Sequence, residues 1–391
     1  MNCKKFNIES IPYRIVVALI LLVIAVDCNA QVQFKKHIVY SRFVSEGVAV
    51  GDVNHDGKTD ILAGSYWFEA PAWKAHLLHA DTLNPVPQYS TTFLNYSMDV
   101  NNDGWIDLIR FDQPGGVCLW YENPKNKDVL WRRHMTLPDA GIENPAFVDA
   151  DSDGRKDIIC NDIVAKQVIW LKSPVAQNDT VWKRFIISSD SKLATDRYTH
   201  GLGWGDINKD GKNDVIIKSG WWQAPDNVKQ EHWQFHAADL GADCANMYVY
   251  DVDEDGDEDI ISSSAHNYGV WWHEQMKDTN GNTTWVNHTI SKAFSQSHGL
   301  IMKDINHDDF PDLITGKRYR AHNDGDSGAF EPAVLYWFEY RPGKQPQWIP
   351  HLIDDNSGIG LSFVVDDIND DDLPDVIISN KKGVFFFEQV K

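Results

Sequence analysis

Three features of the sequence predict an all-β fold. A nine-residue acidic motif occurs seven times, an aromatic pair or a tryptophan follows each copy, and helical periodicity is essentially absent. The expected architecture is a seven-bladed β-propeller of four-stranded blades, the last blade closed by the N-terminal strand. The motif reads D-x-[N/D]-x-D-x-x-x-D and runs into a short aliphatic stretch. Its copies begin at Asp52, Asp99, Asp149, Asp206, Asp251, Asp304 and Asp367, 45 to 63 residues apart. A period of about 50 residues suits one propeller blade per copy.

Each repeat divides into four strands. Strand A runs into the acidic loop, as in Gly205-Asp206-Ile207, and strand B leaves it, as in Asp214-Val215-Ile216-Ile217. Strand C carries Trp67-Phe68, Trp120-Tyr121, Trp170, Trp221-Trp222, Trp271-Trp272, Trp337-Phe338 or Phe386-Phe387. Strand D carries aromatic-x-x-His, as in Trp73/His76 and Trp131/His134, with Trp182/Phe185 as the variant. The regular recurrence of these histidines marks them as structural. The seventh repeat stops at Lys391 without a strand D, whereas Phe34-x-x-His37 stands before any strand A. The N-terminal strand is therefore expected to complete the last blade and cover its open edge. Residues 31–391 read as a single domain.

Lys4, Lys5 and Arg14 precede the apolar run Ile15 to Val26. That run is too short to span a bilayer but suits the core of a signal peptide. Residues 1–30 are expected to be a signal peptide cleaved near Ala30, giving a secreted, periplasmic or cell-surface protein with no transmembrane span in the mature chain. A lipoprotein anchored at Cys28 is the rival, disfavoured by Asp27. With 36 basic and 57 acidic residues the formal charge is −21, which argues against nucleic acid and anionic membranes as partners. Cys118, Cys160 and Cys244 form no disulfide framework and no metal spacing, and are expected as small core residues.

The loops point to calcium. Carboxylate and amide oxygens at positions 1, 3, 5 and 9 converge on a hard cation. The candidate ligands are Asp52, Asn54, Asp56 and Asp60 in blade one, and Asp99, Asn101, Asp103 and Asp107 in blade two. Blade three offers Asp149, Asp151, Asp153 and Asp157, and blade four Asp206, Asn208, Asp210 and Asp214. Asp251, Asp253, Asp255 and Asp259 follow in blade five, then Asp304, Asn306, Asp308 and Asp312 in blade six. Asp367, Asn369, Asp371 and Asp375 complete the set in blade seven. Glycine at position 6 permits the tight turn in five loops, and Asp309 and Asp372 replace it in the last two. Gly51-Asp52-Val53-Asn54-His55-Asp56-Gly57-Lys58-Thr59-Asp60-Ile61 resembles the FG-GAP (VCBS-type) repeat of integrin α-subunit propellers. The resemblance covers the mature chain. It implies the propeller fold and calcium, and says little of function.

Function should lie where the blades differ. Six residues before each first Asp stand Glu46, Phe93, Glu143, His200, Ala245, His298 and Leu361, positions expected to open strand A beside the central channel. Imidazoles plus a carboxylate suit zinc or another divalent transition metal, so Glu143, His200 and His298 are candidate ligands at the channel mouth. The competing reading is a ring of polar residues that hydrate the channel. Blade six has a long B–C connection on the same face, with Lys317, Arg318, Arg320 and His322. Its cations suggest a site for an anionic or oxygen-rich ligand, and loop-anchoring ion pairs are the alternative.

The tract from His298 through 316–324 to Trp337-Phe338-Glu339, with His200-Gly201-Leu202 and His266-Asn267-Tyr268, resembles the propeller domain of fungal aldos-2-ulose dehydratase. That resemblance implies a metal site at the floor of a cleft and dehydration of ketosugars. The resemblance spans the propeller only. On this reading His266 or Tyr248 takes a proton from carbon, Lys317 or Arg318 stabilises the enolate, and His322 lies in the site. The alternative is a calcium-stabilised propeller that binds carbohydrate or protein without catalysis.

Overall fold

The computed structural model describes residues 32–80, 83–86, 88–241 and 244–391. The expected signal peptide and Cys28 lie outside these residues. Among the described residues, twenty-eight antiparallel strands form seven blades, the sheets of blades two and three being joined at Ala140 and Asp162. Blade one holds β2 (Ala49–Gly51), β3 (Asp60–Ala63), β4 (Tyr66–Glu69) and β5 (Lys74–Leu77). Blade two holds β6 (Thr92–Met98), β7 (Asp107–Asp112), β8 (Gly116–Glu122) and β9 (Arg132–Ala140). Blade three holds β10 (Ala146–Val148), β11 (Asp157–Asp162), β12 (Gln167–Lys172) and β13 (Lys183–Ser188). Blade four holds β14 (Gly203–Gly205), β15 (Asp214–Ile217), β16 (Gly220–Gln223) and β17 (Gln234–Ala237). Blade five holds β18 (Tyr248–Tyr250), β19 (Asp259–Ser263), β20 (Tyr268–Lys277) and β21 (Thr283–Ser295). Blade six holds β22 (Leu300–Lys303), β23 (Asp312–Gly316), β24 (Leu335–Arg341) and β25 (Gln347–Asp354). Blade seven holds β26 (Val364–Asp366), β27 (Asp375–Asn380) and β28 (Gly383–Val390), and its fourth strand is β1 (Gln33–Tyr40). Among the described residues no helix is long and apolar enough to cross a membrane.

The position-9 aspartate explains why strand B starts where it does. In every blade it is the first residue of that strand and is fully buried. In blade one its Oδ2 accepts the Val53 N–H at 3.0 Å and its Oδ1 accepts the Ala70 N–H at 2.9 Å, tying the loop to the end of strand C. The same pair of bonds recurs through blade seven, where Asp375 takes the N–H groups of Ile368 and Gln389. Burial pushes these carboxyls up, Asp107 to about 8 and Asp214 to about 7. The position-1 carboxylate holds the turn, as Asp52 accepts from the N–H groups of Asp56 and Gly57. Position 6 is left-handed throughout, with φ of 83° at Gly57 and of 71° and 66° at Asp309 and Asp372.

The blade core is a repeated stack. The strand-D histidine lies flat on the strand-C tryptophan, with centroids 4.1 to 4.3 Å apart for Trp67/His76, Trp120/His134, Trp221/His236, Trp272/His288 and Trp337/His351. Phe386/His37 and Trp170/Phe185 complete the series. Each of these histidines meets a glutamate or glutamine near the end of strand C, as His134 meets Glu122 at 2.8 Å. Trp120→Ala should therefore cost ~3–5 kcal/mol, and His134→Ala about 1 kcal/mol. Urea unfolding checks both, and equal losses would contradict the stacked arrangement. Cys118, Cys160 and Cys244 are buried thiols.

Candidate functional site

The seven segments that lead into strand A converge on one end of the channel. The residues six before each motif mostly precede strand A rather than open it, since β14 begins only at Gly203 and β22 at Leu300. There the backbones bond from blade to blade. The Glu143 N–H donates to Thr199 O at 2.9 Å and the Leu361 N–H to Glu46 O at 2.6 Å. The Asn144 amide reaches His298 O at 2.9 Å across the axis.

Four imidazoles and one carboxylate meet at this mouth. The His200 and His298 ring centroids are 5.7 Å apart, those of His200 and His266 are 4.8 Å apart, and those of His298 and His322 are 4.9 Å apart. Single ligand atoms of Glu143, His200, His298 and His322 all lie within 4.8 Å of one another. His266, His322 and Asp326 form a second such group beside the first. The sequence placed Glu143, His200 and His298 by register. His322 and His266 arrive from the loops of blades six and five. Asp326 was missed, its only signal being its place four residues after His322.

The hydrogen bonds fix which nitrogens face inward. His298 Nδ1 lies 3.1 Å from Gln296 O, and a carbonyl only accepts, so Nδ1 carries the proton. His322 Nδ1 bonds to Asp326 Oδ2, an acceptor when ionised. Both Nε2 lone pairs then point at each other across 3.3 Å, close to the buried Glu143. Burial holds the His298 imidazole well below its ordinary range, and burial beside Arg318 lowers His322 to about 4, so neither stays protonated at neutral pH. Burial raises the Glu143 carboxyl to about 7, with Arg318 lowering it and Glu46 raising it. Facing lone pairs next to a buried carboxylate make a site for a cation. Three imidazoles and a carboxylate are a zinc-like donor set. Asp326 also meets His266 Nδ1 at 3.1 Å, so it orients two rings, as a carboxylate behind metal-binding histidines does.

The other predicted catalytic residues lie elsewhere or are already engaged. Tyr248 donates to Leu300 O at 3.0 Å and lines a cavity of about 290 Å³ along the channel with Tyr96, Phe147, Trp204 and Phe363. Burial raises its phenol to about 12, unsuited to a base near neutral pH. Lys317 is buried, its ammonium bonded to Gln296 Oε1 at 2.6 Å and Ala329 O at 3.3 Å. Arg318 is buried against Glu46, Nε to Oε2 at 2.9 Å, and lies 3.5 Å from Glu143. Arg320 closes on Asp324. These cations anchor the insertion and the ring, so the anion site expected from them is not formed by free charges. The geometry follows from folding: Lys317 and Arg318 are buried and find buried acceptors, whereas Arg320, 29% exposed, pairs with Asp324 nearer the surface.

Two descriptions from family comparison fit this architecture. The fold is that of a repeat-built β-propeller. Parts of the chain match FG-GAP models: the FG-GAP repeat over residues 46–71, and the FG-GAP-like repeat over residues 99–160 and 251–315. No curated protein matches the chain. Similar solved structures include an Agrocybe aegerita lectin described as recognising non-reducing terminal N-acetylglucosamine. It has 14% identity and a TM-score of 0.46, over 84% of this chain and 82% of that one. The V. cholerae biofilm matrix protein Bap1 has 10% identity and a TM-score of 0.45, over 92% of each chain. YCF48 from Cyanidioschyzon merolae has 9% identity and a TM-score of 0.46, over 91% of this chain and 98% of that one. Likeness at these scores carries nothing about function to this chain.

Proposed function

We propose that this propeller is held by calcium in its acidic loops and carries a divalent transition-metal centre, bound by Glu143, His200, His298 and His322, that acts on oxidised sugars. The observation that carries the metal centre is the pair of opposed Nε2 lone pairs of His298 and His322, 3.3 Å apart beside Glu143. The resemblance to the aldos-2-ulose dehydratase propeller supports a ketosugar as substrate and elimination of water as the reaction. A bound metal of this kind polarises a carbonyl and acidifies the neighbouring C–H. His266 is the most solvent-reaching of the four histidines, its side chain 33% exposed. Backed by Asp326, it is placed to accept that proton. The C–H electrons become the new C=C bond, and the β C–O bond breaks to release water once the departing oxygen is protonated.

A binding role without chemistry is the second reading. It is favoured by the internal pairing of Lys317, Arg318 and Arg320, which leaves no side-chain cation of the insertion to hold an enolate. The test is turnover of a ketosugar by the metal-loaded protein, followed by the absorbance of the conjugated enone. His266→Ala should abolish turnover and keep the metal. Binding of the sugar by calorimetry without enone formation would establish the second reading instead. Asp326→Asn should weaken transition-metal binding roughly 10- to 100-fold. An unchanged affinity would remove Asp326 from the site.

A further inference from the structure

Blade three breaks the pattern of the other six at one register. Near the end of strand C, Glu69, Glu122, Gln223, Glu274, Glu339 and Glu388 each meet the strand-D histidine of their own blade, at 2.6 to 3.1 Å. Blade three has Lys172 in that place and Phe185 where the histidine would be. With no imidazole to meet, the ammonium turns into the acidic loop. Lys172 Nζ lies 2.7 Å from Asp151 and 2.6 Å from Asp153, the position-3 and position-5 carboxylates. Its side chain is only 10% exposed and passes over the Trp170 ring at 6.0 Å. A second ammonium, Lys229, stands 3.3 Å from Asp151. Other loops have lysines at their rims, such as Lys58 on Asp56 at 3.4 Å, but that lysine is 52% exposed and meets one carboxylate.

We propose that Lys172 is the resident cation of the blade-three loop, so that this loop takes no calcium while the other loops do. An ammonium held between the two carboxylates supplies the countercharge that the other loops must draw from solution. A divalent ion at the same place would face it at contact distance, and like charges in a poorly hydrated site repel strongly. Blade three, which also carries Glu143, would then keep its loop when calcium is withdrawn.

This inference rests on the calcium reading of the other loops, and the test separates the two. Bound calcium per chain is counted by equilibrium dialysis and elemental analysis for the full-length protein and four variants. Asp56→Asn, in loop one, should lose one calcium. Asp153→Asn should lose none, and Lys172→Gln should gain one. Loss of a calcium in Asp153→Asn, or no gain in Lys172→Gln while Asp56→Asn behaves as expected, overturns this proposal alone. No calcium in the wild-type protein and none in Lys172→Gln overturns it together with the calcium reading. Lys172→Arg keeps the charge and should leave the count unchanged. A gain in that variant would show that the ammonium's charge is not what excludes the ion.

Discussion

Chelation of calcium is expected to lower the melting temperature by at least about 10 °C. An ion that binds only the folded chain adds RT ln(1 + [L]/Kd), about 2.7 kcal/mol per site at a hundredfold excess over Kd. Several such sites together rival the roughly 5–15 kcal/mol that separates most folded domains from their unfolded chains. For a domain of about 360 residues each kcal/mol moves the melt by about 1–1.5 °C. The loops show where the dependence arises. The turns are already closed by bonds such as Asp56 N–H to Asp52 Oδ1, so the local shape needs no ion. The carboxylates do need one. Outside blade three, whose loop has Lys172, the six loops bring 19 of them to their ligand positions, and burial together with the charges of Asp103 and Asp99 lifts Asp107 to about 8. Differential scanning fluorimetry with and without EDTA checks this, and an unchanged melt would mean that the loops are not calcium sites.

Deleting residues 33–40 is expected to cause aggregation or a fall of about 5 °C, from a loss of roughly 4 kcal/mol. These residues are the fourth strand of blade seven, paired with β28 from Gln33 opposite Val390 to Tyr40 opposite Val384. Their loss uncovers Phe385, Phe386 and Phe387 and leaves a sheet edge open to other chains. It also removes the His37 stack on Phe386, the Lys36–Asp354 ion pair at 2.8 Å, and the contacts of Tyr40 with Tyr66 and Phe68 of blade one. A deletion variant that melts within about 2 °C of the parent would contradict the role of this strand, since an edge strand with these contacts should contribute more than that.

The fold was legible because repetition lets one blade be read against the next. The acidic motif marks strand A's exit and strand B's start, and the stray Phe34-x-x-His37 matches the strand D that blade seven lacks. The same register exposed Glu143, His200 and His298, since equivalent positions in a ring converge in space. Register fails for loops. His266, His322 and Asp326 belong to B–C connections with no counterpart to align against, so His322 and His266 were assigned to catalysis and Asp326 was passed over. Tyr248, offered as a base, lies apart from the site. It stands three residues deeper into the repeat than the histidine ring, and lines the channel below it. Lys317 and Arg318 show a different limit. Their charge is visible in the sequence, but their partners, Gln296 after blade five and Glu46 before blade one, are fixed only when the blades pack together.

The most direct test of the metal centre is a crystal structure of the protein with anomalous data collected on both sides of the zinc, manganese or iron edge. A peak is expected at about 2.0–2.2 Å from His298 Nε2, His322 Nε2, His200 and Glu143, with typical metal–ligand distances. Elemental analysis of the same preparation should give one such metal per chain, and His298→Ala and His322→Ala should each give none while the calcium-dependent melt stays near that of the parent. A map that shows only solvent between the four side chains after soaking with zinc, manganese and iron(II), or variants that retain the metal, would contradict the account.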